Sequence, residues 1–116
     1  MALHHAVPGE IVDLRPLGEK LRDAASATIV KTNQLQVFRF ILPKDKVFAE
    51  HSVRGEITVQ CLEGVVEFTS PGQTQLLRAG HWVYLAGNDL HALKGVEDAS
   101  VLVTIAAGTP TSDRSA

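Results

Sequence analysis

The stretch HSVRGEITVQCLEGVVEF (residues 51–68) decides the fold. Two runs rich in β-branched residues flank Glu63-Gly64, and the first alternates: Ile57, Val59 and Cys61 fall on one face, Glu56, Thr58, Gln60 and Leu62 on the other. Successive side chains of a strand point to opposite faces, so this period of two predicts a strand, with a turn at the glycine.

The same pattern extends in both directions. Upstream lie SATIV, LQVFRFIL closed by Pro43-Lys44-Asp45-Lys46, and VFAEHSV closed by Arg54-Gly55. Downstream, VVEFTS is closed by Pro71-Gly72, TQLLRA by Gly80 and HWVYLA by Gly87-Asn88-Asp89, and HALKG and SVLVTIA follow. About nine short strands separated by turn residues predict an all-β sandwich or barrel, because a βαβ sheet needs a helix between successive strands. Only LGEKLRDAA (residues 17–25), with Leu17 and Leu21 four apart and Pro16 suited to a first turn, offers a short N-terminal helix. The expected organisation is a loose leader (1–10), one domain (11–107) and a loose tail (108–116), since 116 residues have too little interior for two cores.

Composition excludes several classes. Eleven Lys and Arg against 13 Asp and Glu give a net charge of −2, with no basic field to collect phosphates, so nucleic acid is not an expected partner. The single Cys61 rules out an intrachain disulfide and suits a reducing compartment. No apolar run reaches membrane-span or signal-peptide length, so a cytoplasmic protein without membrane contact is expected.

Residues 51–68, together with AGHWVYLAGNDLHALKG (79–95), resemble the cupin superfamily. Gly64 and Gly80 stand where its two motifs carry glycine, and Asp45 and Asn88 replace two further glycines with residues that tolerate turn geometry. Ala86 and Gly95 replace the second motif's Pro and Asn. The resemblance spans roughly residues 35–105 and implies a double-stranded β-helix, the RmlC-like jelly-roll barrel, most like short bacterial single-domain cupins.

The family's metal is held by histidines and a carboxylate or amide projecting into the barrel. His51 and His91 match two of the histidines, Val53 occupies the place of the third, and the carboxylate position falls on Ile57, with Glu56 one residue away. Strand parity turns Ile57 inward and Glu56 outward, which leaves an apolar pocket of His51, Val53, Ile57, Val59, Tyr84 and His91 and no metal. A bulge at Arg54-Gly55 would reverse this and let His51, Glu56 and His91 hold Fe, Mn, Ni or Zn as an open triad.

Other residues have simpler readings. A buried neutral histidine needs a partner for its ring N–H, expected from Thr58, Tyr84 or a water. Trp82 and Cys61 read as packing, Glu63, Glu97 and Asp98 as solvated turn charges, and His4 and His5 as incidental residues of the leader.

The expected function is therefore binding of a small molecule in the barrel mouth beside a degraded metal site, with the substrate unspecified. Enzyme activity stays open. The alternatives are a metal-dependent oxygenase or isomerase using His51, Glu56 and His91, and a metal-free, epimerase-like isomerase with a histidine as base and Tyr84 as acid. A sensor module would need a separate partner. Because LQVFRFIL is apolar on both faces, a homodimer burying Val37, Phe38, Phe40 or Leu42 is also expected.

Overall fold

The alternation read around Gly64 becomes one wall of a two-sheet barrel. A computed structural model describes residues 4–70 and 72–106, with Glu50 and His51 described through their backbone alone. The strands are β1 (Ala27–Lys31), β2 (Gln36–Leu42), β3 (Val47–His51), β4 (Ile57–Glu63), β5 (Val65–Ser70), β6 (Gln73–Arg78), β7 (Trp82–Leu85), β8 (His91–Gly95) and β9 (Ala99–Ile105). They form two antiparallel sheets, β1-β2-β9-β4-β7 and β3-β8-β5-β6. The predicted N-terminal helix is a single 3-10 segment, Gly18–Asp23. Pro71 and the tail from 107 lie outside the described residues.

Turn chemistry behaves as the sequence implies. Asp45 and Asn88 both adopt left-handed backbone, with φ of 73° and 70°. Gly64 has φ of 78°, and a Cβ there would overlap the Asp98 carbonyl and the Ala99 backbone, so the passage from β4 into the other sheet requires glycine.

Inward side chains form one core. Cross-strand partners share a face, and Phe38, Phe40 and Leu42 of β2 lie opposite Val103, Val101 and Ala99 of β9. Leu42, Cys61, Val66, Phe68 and Val101 fill one end of the barrel at 0–1% exposure. Phe40 stacks on Phe38, with ring centroids 5.5 Å apart, and meets Phe48 of the opposite sheet edge-on at 4.8 Å. Such aromatic pairs add to the burial of their area.

The outer face of the five-stranded sheet is covered in part by the N-terminal segment. Leu21 is buried, the Ser26 hydroxyl accepts the Ile41 N–H at 2.8 Å, and the Arg15 carbonyl accepts from Arg39. The leader is also held: the Ala6 N–H donates to the Ile29 carbonyl, and the exposed His4 ring lies 2.8 Å from Glu10. Both faces of β2 are therefore occupied within one chain, Phe38, Phe40 and Leu42 by the second sheet and Arg39 and Ile41 by this strap. Leu42 is fully buried, so the expected dimer contact through these residues loses its basis.

Glu63 is not a solvated turn charge. Pairing of β4 with β9 slips between Cys61 and Glu63, so that Cys61 opposes Val101 while Glu63 opposes Ser100. The inserted residue re-aims Glu63 to the outer face beneath the strap. There its carboxylate accepts the Leu17 and Gly18 N–H groups at 3.0 and 3.1 Å, the Ser100 hydroxyl at 2.7 Å and the Arg39 guanidinium at 3.2 Å. Asp98 is likewise engaged, accepting the Lys44 N–H at 2.9 Å and pairing with Arg22 at 3.2 Å.

Burial pushes the Glu63 carboxyl up, but the donors from Leu17, Ser100 and Gly18 and the charge of Arg39 outweigh it and hold the group below the ordinary glutamate range. A carboxyl that is more acidic in the fold stabilises the fold while ionised, and that stability is lost as pH falls through the folded-state value. Glu63→Ala leaves Arg39 buried without its countercharge, and urea unfolding at neutral pH is expected to show a loss of about 3 kcal/mol. The gap between variant and wild type should narrow as pH drops below about 4.3. A gap that stays constant into the acid range would refute the linkage.

Candidate functional site

The barrel is filled at one end and hollow at the other. Where β4 begins and β9 ends, a partly enclosed cavity of about 60 Å³ lies between the sheets. Phe40, Ile57, Val59, Val103 and Ile105 face it from the five-stranded sheet, and Phe48 and Leu93 from the four-stranded one. Val53 closes it from the loop after β3. His91, at 4% exposure, is the one polar residue in the described lining.

His91 is positioned by its own loop. The ring Nδ1 lies 3.1 Å from the Asp89 carbonyl, which can only accept, so Nδ1 carries the proton and the neutral ring keeps its lone pair on Nε2. Asn88, left-handed just upstream, shapes this turn, and its N–H donates to the Val53 carbonyl at 2.7 Å. The partner of the ring N–H is thus a backbone carbonyl two residues back, not Thr58 or Tyr84. Pairing of β3 with β8 slips between Phe48 and His51 and brings His51 opposite His91 in register. The His51 side chain lies outside what is described.

Of the residues expected in the pocket, Val53, Ile57, Val59 and His91 surround the cavity. Tyr84 does not. It alternates with the inward Val83 and Leu85, which turns it to the outer face at 51% exposure, beside Trp82 at 58%. Its hydroxyl donates to Glu56, which is also exposed. No bulge re-aims Glu56 at Arg54-Gly55. Strand alternation turns Ile57 into the cavity and leaves the acid outside, so Glu56 joins neither His91 nor a triad. Among the described residues no three His, Cys, Asp or Glu side chains converge as metal ligands.

Two consequences follow for chemistry. An isomerase with His91 as base and Tyr84 as acid is not assembled, because the two side chains lie on opposite faces of a sheet. The places where the family carries its second histidine and its carboxylate are held by Val53 and Ile57, hydrocarbon side chains that line the cavity. The described donor set does not fit a resident metal. Cys61 is fully buried, burial pushes its thiol up, and its Sγ lies 3.4 Å from the Glu63 carbonyl, so it is packing and not a nucleophile. The sequence had left Phe40, Phe48, Leu93, Val103 and Ile105 as general core. Their inward parity was readable, but the depth at which packing stops was not.

Known structures share this architecture. A conserved Streptococcus pyogenes protein of unknown function superimposes with a TM-score of 0.73 at 23% identity over 94% of this chain and 99% of that one. A cupin superfamily protein of Desulfitobacterium hafniense gives 0.71 at 18% identity over 83% and 94% of the two chains. An RmlC-like cupin family protein with a double-stranded β-helix fold from Methanocaldococcus jannaschii gives 0.69 at 17% identity over 84% and 93%. The fold is that of the cupins. No protein-family model and no curated protein matches the sequence. Within this cupin barrel the hollow end coincides with the two histidine positions from which the motif resemblance began, one described as a side chain and one through its backbone. No helix among the described residues is long and apolar enough to cross a membrane.

The outward pair of Tyr84 and Glu56 is directly measurable. Donation to Glu56 and the negative charges of Glu56 and Asp89 favour the neutral phenol and raise its pKa. Tyr84 is the single tyrosine of the chain, so ultraviolet absorbance titration reports it alone. The midpoint is expected above the ordinary value of about 10 and should fall in Glu56→Gln. An identical midpoint in the two proteins would show that Glu56 does not face the phenol.

Proposed function

We propose that this chain is a cytosolic cupin that binds a small molecule in the hollow end of its barrel and does so without a resident metal. The observation that carries the reading is the cavity itself: hydrocarbon on every described wall, with His91 as the one polar side chain. An apolar recess with a single oriented polar group is the usual form of a small-molecule site. Close packing elsewhere in the barrel makes the hollow a specific feature of one end. The metal-free element rests on the identity of Val53 and Ile57, neither of which can donate to an ion. The cytosolic element rests on the lone, buried Cys61.

Two measurements test this. Untagged protein purified without chelator is expected to carry Fe, Mn, Ni and Zn only in substoichiometric amounts, unchanged in His91→Ala. A mixed collection of acids, amines, polyols and aliphatic compounds, screened by methyl NMR, is expected to shift Val59, Leu93 and Val103 first. Stoichiometric metal lost in His91→Ala, or ligand shifts confined to other parts of the barrel, would overturn the proposal.

A further inference from the structure

The cavity restricts what can enter it. At about 60 Å³ it has room for about four to six water-sized groups, well below the roughly 150 Å³ engineered cavity that admits benzene. Its described walls carry no Lys, Arg, Asp or Glu. A carboxylate, phosphate or ammonium drawn inside would lose its hydration with no countercharge, at a cost that excludes it. A polyol fares little better. Each hydroxyl needs a partner, and His91 is the one polar side chain available, so a hydroxyl on every carbon would strand several. The edge-on pair of Phe40 and Phe48 and the branched chains of Val59 and Leu93 suit aliphatic C–H groups instead.

Resting on the reading that the hollow end is a ligand site, we infer that the ligand, or the part of it that enters, is short, uncharged and aliphatic. It has about four to six heavy atoms and one hydrogen-bonding group, the chemistry of a small alcohol. His91 meets the polar group, and the Phe40 and Phe48 rings and the Val59 and Leu93 side chains surround the hydrocarbon.

Three probes on one four-carbon skeleton separate the possibilities: 1-butanol, sodium butyrate and erythritol, each titrated into the full chain with methyl NMR as readout. Butanol is expected to shift Val59, Leu93 and Val103 saturably and to bind at least about tenfold more tightly than butyrate or erythritol. Val53→Phe, which plugs the mouth from a half-buried loop position, should weaken butanol by at least about tenfold while the spectrum stays dispersed. Val59→Phe fills the interior and serves as a second variant should the loop substitution disturb folding. Butyrate or erythritol shifting the same methyls as tightly as butanol would leave the ligand site standing and overturn the assigned class. Failure of all three to move those methyls would overturn the class and the site together. Butanol shifts that persist in both variants would place its binding elsewhere and also overturn the inference.

Discussion

A one-residue slip in the pairing of β4 with β9, between Cys61 and Glu63, is the constraint on which both halves of the structure depend. Before the slip, strict alternation commits Ile57, Val59 and Cys61 to the interior. After it, Glu63 is carried to the outer face, where the N-terminal strap lies. Without the slip the carboxylate would share the inward parity of Cys61 and meet the closely packed core, where an unpaired ion is untenable. Gly64 holds the arrangement, because the chain can pass from one sheet to the other against Asp98 and Ala99 only where no Cβ intrudes.

The outer side of that slip is polar and ties distant segments together. Glu63 gathers donors from the strap, from β2 and from β9, with Arg39 at its centre. Much of the Coulombic attraction in such a pair offsets the loss of hydration, so the network matters less as net stability than as a device that makes one placement of the N-terminal segment better than any other. Covering Ile41 in this way gives the apolar outer face of β2 an intramolecular partner.

The inner side is the hollow. Cupin barrels host unrelated chemistries, so the fold leaves function open and the side chains must supply the argument. Here they supply hydrocarbon: Val53 and Ile57 stand where the family carries metal donors, and Glu56 and Tyr84 engage each other outside. His91 remains, oriented by the Asp89 carbonyl. The outcome is a barrel that keeps a recess without the usual donors around it, which favours recognition of a small apolar ligand over metal chemistry.

Strand number, turn positions, sheet class and the inward parity of Ile57 were all legible in the amino-acid order, because alternation and turn chemistry are local properties. Asp45 and Asn88 could even be recognised as stand-ins for glycine, since left-handed backbone restricts the residue type at a single position. Three things belonged to tertiary structure alone: the slip that buries Glu63, the outward turn of Tyr84, and the depth at which packing gives way to a cavity. Each depends on which strands become neighbours and where their register breaks, and these are set by contacts between segments far apart in the chain. Tyr84 shows the difference most plainly. Its two-residue spacing from Trp82 placed both on one face, but which face was decided only when β7 paired with β4 and sent Val83 and Leu85 inward.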